Sequence, residues 1–119
     1  MKVAFGMESD EKLFDGHYGD SEFFAIYEIT PHGEVKFLEK RENQAKEIEE
    51  REHGDFEKFR AVISQLMDVD IIAAYRMGPN FLRIKNNTTK EVFFTRTRDL
   101  KIAMENLLAY LRAKGYIQN

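Results

Sequence analysis

Three short stretches hold the residue types that could do chemistry. His17 lies in Asp15-Gly16-His17-Tyr18-Gly19-Asp20, flanked on both sides by glycine. Gly16 and Gly19 free the backbone beside the imidazole, which suits close approach of a ligand. The chain has no cysteine, so a neutral imidazole is the best soft-metal ligand it retains. Arg76-Met77-Gly78-Pro79-Asn80 reads as a turn that opens a helix, with Pro79 at the first helical position. Free backbone N–H groups and the positive dipole end at such a turn favour an anion, and Arg76 adds a fixed positive charge. Arg96 and Arg98 lie just past the end of a neighbouring strand. Asp10, Asp15 and Asp20 are the acids of the first loop, where carboxylates are ordinarily just solvated.

Other chemistries lack their residues. Without cysteine there is no disulfide, thiolate zinc site, cysteine-ligated iron–sulfur cluster or thiol nucleophile. No G-x-x-x-x-G-K-S/T phosphate loop occurs. Two-metal nuclease chemistry needs carboxylates fixed on the sheet. The first strand, Lys2-Val3-Ala4-Phe5-Gly6-Met7, has none, and the fourth ends in Tyr75-Arg76. His32 sits in a Pro-His-Gly turn, and His53 precedes Gly54 as a helix-flanking polar residue.

The elements that must position these residues follow from pattern. Lys2–Met7 is a buried strand, Glu22–Ile29 a second, and Val35–Leu38 a third, joined to the second by the Thr30-Pro31-His32-Gly33 turn. Residues 39–52, almost without apolar side chains, read as a solvated loop or frayed helix. Phe56, Phe59, Ile63, Leu66 and Met67 form a helical stripe, with Asp55 as its N-cap. Asp70–Tyr75 is a doubly apolar fourth strand, as in the middle of a parallel sheet. A short helix to about Ile84 follows, then a fifth strand over Glu91–Thr95. The last helix runs through Leu100, Ala103, Met104, Leu107, Leu108 and Leu111 to Gly115.

The order β-β-β-α-β-α-β-α, with right-handed crossovers, predicts a three-layer α/β/α domain with a five-stranded mixed sheet. Its strand order is 3-2-1-4-5 with strand two antiparallel, the ribonuclease-H-like arrangement. The first strand then leaves toward the hairpin and the fourth toward the fifth. Their carboxyl ends form a switch point, where a ligand crevice is expected between loop 8–20 and turn 76–80.

The whole chain, 119 residues, is expected to be a single domain (1–119), cytoplasmic, with no signal-peptide plan and no membrane span. The formal charge is −3, unevenly placed: residues 1–75 carry 9 bases against 18 acids, and 76–119 carry 9 against 3. The bases are scattered between elements without interleaved aromatics, so nucleic acid is not an expected partner.

The stretch from Asp15 to Ile29 resembles the H-F-G-x-x-x-x-F-x-I-Y-x-I segment of the dinitrogenase iron–molybdenum cofactor biosynthesis family, which includes NifX, NafY and the C-terminal part of NifB. Met77-Gly78-Pro79-Asn80 resembles its I-G-P-N/R-A turn, and the opening Met1–Phe5 also fits. The resemblance covers nearly the whole chain and implies a ribonuclease-H-like fold. It implies non-catalytic carriage of an anionic metal–sulfur cluster, iron–sulfur or molybdenum-containing, or its precursor, between donor and acceptor proteins. His17, Gly19, Arg76, Gly78, Pro79 and Asn80 are the expected binding residues. His17 is the expected metal ligand, and His53-Gly54 resembles a His/Gly-rich stretch that makes His53 a second one. The chain departs from the family in Tyr75-Arg76, where small residues are usual, and in the Glu/Lys-rich segment 39–52. The competing readings are a ligand-free interaction module, as monomer or weak homodimer through a sheet edge, and a nuclease using the loop acids.

Overall fold

The computed structural model describes residues 1–48, 56–78 and 81–118. Five strands form one sheet: β1 (Lys2–Met7), β2 (Phe23–Ile29), β3 (Val35–Glu42), β4 (Ile71–Ala74) and β5 (Glu91–Phe94). Their order is β3-β2-β1-β4-β5. β2 runs antiparallel to β1 and β3, and β4 runs parallel to β1 and β5. This is the layout that the element order predicts. The two strands that are apolar on both faces take the interior places, because only there are both faces covered.

The two-residue period of β1 and β4 divides the core. Val3, Phe5 and Met7, with Ile71 and Ala73, face α3 (Leu100–Ala113) and pack on Ala103, Leu107 and Leu111. Ala4, Ile72 and Ala74, with Phe24 and Ile26 of β2, face the other way. They meet Phe59, Val62 and Leu66 of the α1 (Phe56–Ser64) region and Ile84 of α2 (Phe81–Asn87). The result is three layers, α/β/α. Asp99 caps α3 by accepting from the Ile102 N–H at 3.0 Å. Gly33, at φ +86°, closes the β2–β3 turn with its N–H on the Thr30 carbonyl at 2.9 Å. Among the described residues no helix is long and apolar enough to cross a membrane.

Two expectations are corrected. The segment read as a solvated loop or frayed helix is strand up to Glu42, where residues 39–42 pair with Phe23–Ile26 beyond a bulge at Ile26/Tyr27. Its charged side chains are those of an edge strand, where charge resists pairing with another sheet. Asn43 and Ala45 beyond it are buried. The Asn43 amide donates to the Gly19 and Ser21 carbonyls at 2.9 and 2.8 Å, and its oxygen accepts from the Ala45 N–H at 2.9 Å. The remainder of 39–52, from residue 49, lies outside the described residues, as do Asp55 and His53.

The second correction concerns Met67, which is 74% exposed rather than part of the α1 stripe. α1 ends at Ser64, and the next N–H groups, of Gln65 and Leu66, bond three residues back, to Val62 and Ile63. That tighter winding turns the chain out of helical phase. The buried stripe is Phe59, Val62 and Leu66.

Candidate functional site

β1 and β4 are parallel neighbours in register Phe5↔Ala73, so their carboxyl ends lie side by side. From there β1 leads toward β2 and β4 toward β5, the condition for a crevice. Loop 8–20 crosses this end of the sheet and is fastened on both sides.

Its first half is held by the segment after β5. The Leu13 N–H donates to the Arg98 carbonyl at 2.7 Å, and the Leu100 N–H donates to the Glu11 carbonyl at 3.0 Å. Arg98 Nε donates to the Leu13 carbonyl at 3.0 Å, and its Nη2 stands 3.0 Å from the Glu8 carboxylate. Arg98 is thus engaged in holding the loop. Arg96 takes φ +62°, in the left-handed region that side chains other than glycine rarely adopt.

The second half is held by α1. Tyr18–Asp20 makes one 3-10 turn. Tyr18 is buried and its hydroxyl donates to the Ala4 carbonyl of β1 at 2.9 Å. Burial pushes its phenol well above the ordinary value. Lys58 of α1, with a side chain only 5% exposed, pairs with Asp20. A Cβ on Gly19 would meet Val62 Cγ2 at 3.3 Å and Lys58 Cε at 3.4 Å, so the turn lies close on the helix.

Between these anchors, His17 and Gly78 meet. His17 is exposed, yet its ring lies so near Gly78 that a Cβ there would fall 2.6 Å from Nδ1 and 2.7 Å from Cγ. The ring therefore lies face-on over Gly78, with its Nδ1 side nearest the glycine. Neither ring nitrogen is hydrogen-bonded among the described residues. Behind the ring, His17, Gly19, Val62, Met77, Gly78 and Ile84 enclose a cavity of about 20 Å³, room for about one water. Arg76, 62% exposed, has its Nε 3.6 Å from Oδ1 of Asp15, two residues before His17.

Of the residues expected from sequence, the structure brings His17, Gly19 and Gly78 together, with Arg76 beside Asp15. Pro79 and Asn80 lie outside the described residues. His32, in its turn, hydrogen-bonds Gln118 at 2.9 Å, away from the crevice. Sequence reasoning missed Tyr18, Lys58 and Asn43, the residues that fasten the loop. A signal existed for Lys58 alone, which stands four before Val62 on the buried stripe.

No group of three or more His, Cys, Asp or Glu residues that could hold a metal ion occurs among the described residues. Among the described residues, no ligand set for a resident ion is assembled at this site.

No curated protein matches the chain. Two solved structures share its fold. One is the NMR structure of a candidate NifB protein from Thermotoga, 18% identical, with TM-score 0.60, covering 89% of this chain and 85% of that one. The other is the crystal structure of the protein PH0822, 21% identical, with TM-score 0.57, covering 92% and 90%. The model of the family described as "Dinitrogenase iron-molybdenum cofactor" matches residues 1–110. With that match over nearly its whole length, the chain belongs to the dinitrogenase iron-molybdenum cofactor family.

Proposed function

We propose that this protein is a non-catalytic carrier that receives an anionic metal–sulfur cluster, or its precursor, from a donor protein and yields it to an acceptor. Family membership supports the chemistry of the cargo. The observation that carries the reading is the placement of His17, exposed and laid against Gly78, with Arg76 paired to Asp15 two residues before it.

A single imidazole in a chain without cysteine cannot assemble a cluster from free ions. It can add one bond to a preformed cluster that keeps its own sulfides. In this reading His17 supplies that bond through a ring nitrogen. Arg76 balances the negative charge, exchanging its exposed pairing with Asp15 for the cargo; such pairs are worth only about 0–1 kcal/mol. Gly19 and Gly78 leave backbone within reach, and Pro79 and Asn80 are further candidate binding residues on sequence grounds. His53 is a second candidate ligand. The cavity behind the ring is too small for a cluster, so the cargo sits on the outer rim. A rim site suits transfer. The lack of an acid in β1 and at the end of β4, and of a thiol nucleophile, supports a non-catalytic role.

The test is anaerobic incubation with preformed iron–sulfur and molybdenum–sulfur species, followed by gel filtration and metal analysis. Wild type is expected to retain stoichiometric metal and His17→Ala to lose it, with circular dichroism unchanged. Equal retention by both removes His17 from the site. Retention by neither, with any species, defeats the carrier reading.

A further inference from the structure

The two faces of the sheet are unequally covered. α1 and α2 both pack on one face, whereas α3 is the helix described on the other, centred on β1 and β4. Beside it, over β2 and β3, lies an open groove of about 580 Å³. Tyr27 and Val35 form its floor, and Leu100 and Met104 from the start of α3 form a wall. Phe37 pairs with Tyr27 across the strands and stands on the same face, 55% exposed, while Val35 is 39% exposed. Aromatic rings run edge to face from the core to this surface. Phe5 and Tyr27 are 5.8 Å apart, and Tyr27 and Phe37 are 5.4 Å apart. Apolar packing of core quality thus continues into solvent.

The rim of the groove is acidic. Asp10, Glu11, Asp99 and Glu105 line it against Lys101. Asp10 pairs with Lys40 and Asp99 caps α3. Glu11 and Glu105 are exposed, with no ion pair among the described residues.

We propose that this groove docks an amphipathic helix of a partner protein. Its apolar stripe would lie on Tyr27, Val35, Phe37 and Met104, and its Lys or Arg residues would face Glu11 and Glu105. The groove runs beside α3 over β2 and β3, where a helix packed next to α3 would lie on the sheet. Charge selects the occupant. A second copy docking by the same face would set carboxylates against carboxylates across a two-fold axis, whereas a basic helix is complementary. The proposal does not rest on the cargo reading, because His17 and Gly78 lie on the α1–α2 side of the sheet.

The test uses the full chain without cargo. Two fluorescein-labelled peptides of 14 residues, the length of α3, carry leucines on one face and either lysines or glutamates on the other. Anisotropy titration is expected to show saturable binding of the lysine peptide, about tenfold tighter than the glutamate peptide. Phe37→Ser should weaken it by about tenfold, as loss of an aromatic anchor does. Glu11→Lys with Glu105→Lys should reverse the preference. All three positions are exposed, and circular dichroism checks that each variant is folded. Equal binding of both peptides, or binding untouched by Phe37→Ser, overturns the proposal. A dimer by sedimentation that Phe37→Ser dissolves also overturns it, making the occupant a second copy.

Discussion

His17 and Gly78 interlock: the imidazole occupies the space where a side chain at position 78 would begin, 2.6 Å from Nδ1. Gly78→Ala must therefore evict the ring. Because His17 is exposed, the ring can turn into solvent, and the cost in stability should stay below about 1 kcal/mol. If the rim carries cargo, metal retention should fall as far as in His17→Ala. Thermal melts and metal analysis of the same preparations separate the two effects. A large fall in Tm with normal retention would contradict this account.

Tyr18 ties loop to sheet through its hydroxyl bond to the Ala4 carbonyl. Tyr18→Phe should cost about 1 kcal/mol near neutral pH. Burial raises this phenol well above 10.0, so the folded state keeps its proton when the unfolded chain begins to lose it. That contribution is complete below about pH 10 and is lost as pH rises further. Urea melts of the two proteins should converge at alkaline pH. A constant difference up to about pH 11 would argue against the buried, neutral phenol.

Arg41 on β3 grips Asp68, past α1, with both guanidinium nitrogens at 2.7 Å. Hydrogen bonds from Arg41 hold the Asp68 carboxyl well below the usual carboxylate range. The unfolded carboxyl titrates near 3.8, so this stabilisation is present above that pH and is lost as pH falls through the folded value. Asp68 is 41% exposed, and solvent screening limits the pair to about 1 kcal/mol. Asp68→Asn should lose that much at neutral pH, and acid denaturation should show the gap closing below about pH 4.

Lys58 and Asp20 are asymmetric partners, the ammonium buried and the carboxylate 43% exposed. Asp20→Asn leaves the buried charge without its partner and should cost about 2 kcal/mol; Lys58→Met removes that charge at similar volume and should cost less. Hydrogen exchange at Tyr18–Ser21 should quicken more in Asp20→Asn. The reverse order of the two variants would mean that Lys58 acts through packing of its stem.

Much of the architecture was legible in local pattern. Apolar residues on both faces of Lys2–Met7 and Ile71–Ala74 required interior places in the sheet. Chain chirality then left one economical strand order, the one observed. The switch point followed from that order, and with it the meeting of loop 8–20 and the turn after β4. The family motifs drew His17 and Gly78 into one site for a different reason, their order along the chain.

Tertiary structure decided the rest, because charge and contact partners come from elements far apart in sequence. Residues 39–42 show no strand periodicity, since an edge strand in solvent does not need it. Their conformation follows from β2 beside them and from Asp68 and Asp10, which engage Arg41 and Lys40. Met67 matched the helical spacing, but the chain had left the helix at Ser64. The apolar groove over Tyr27 and Phe37 exists because α3 lies to one side of that face, and no local spacing encodes where a helix stops covering a sheet. How closely the His17 ring would fill the crevice was likewise unreadable. Periodicity sets which side of an element is buried, but the room left between two loops depends on how every neighbouring side chain packs.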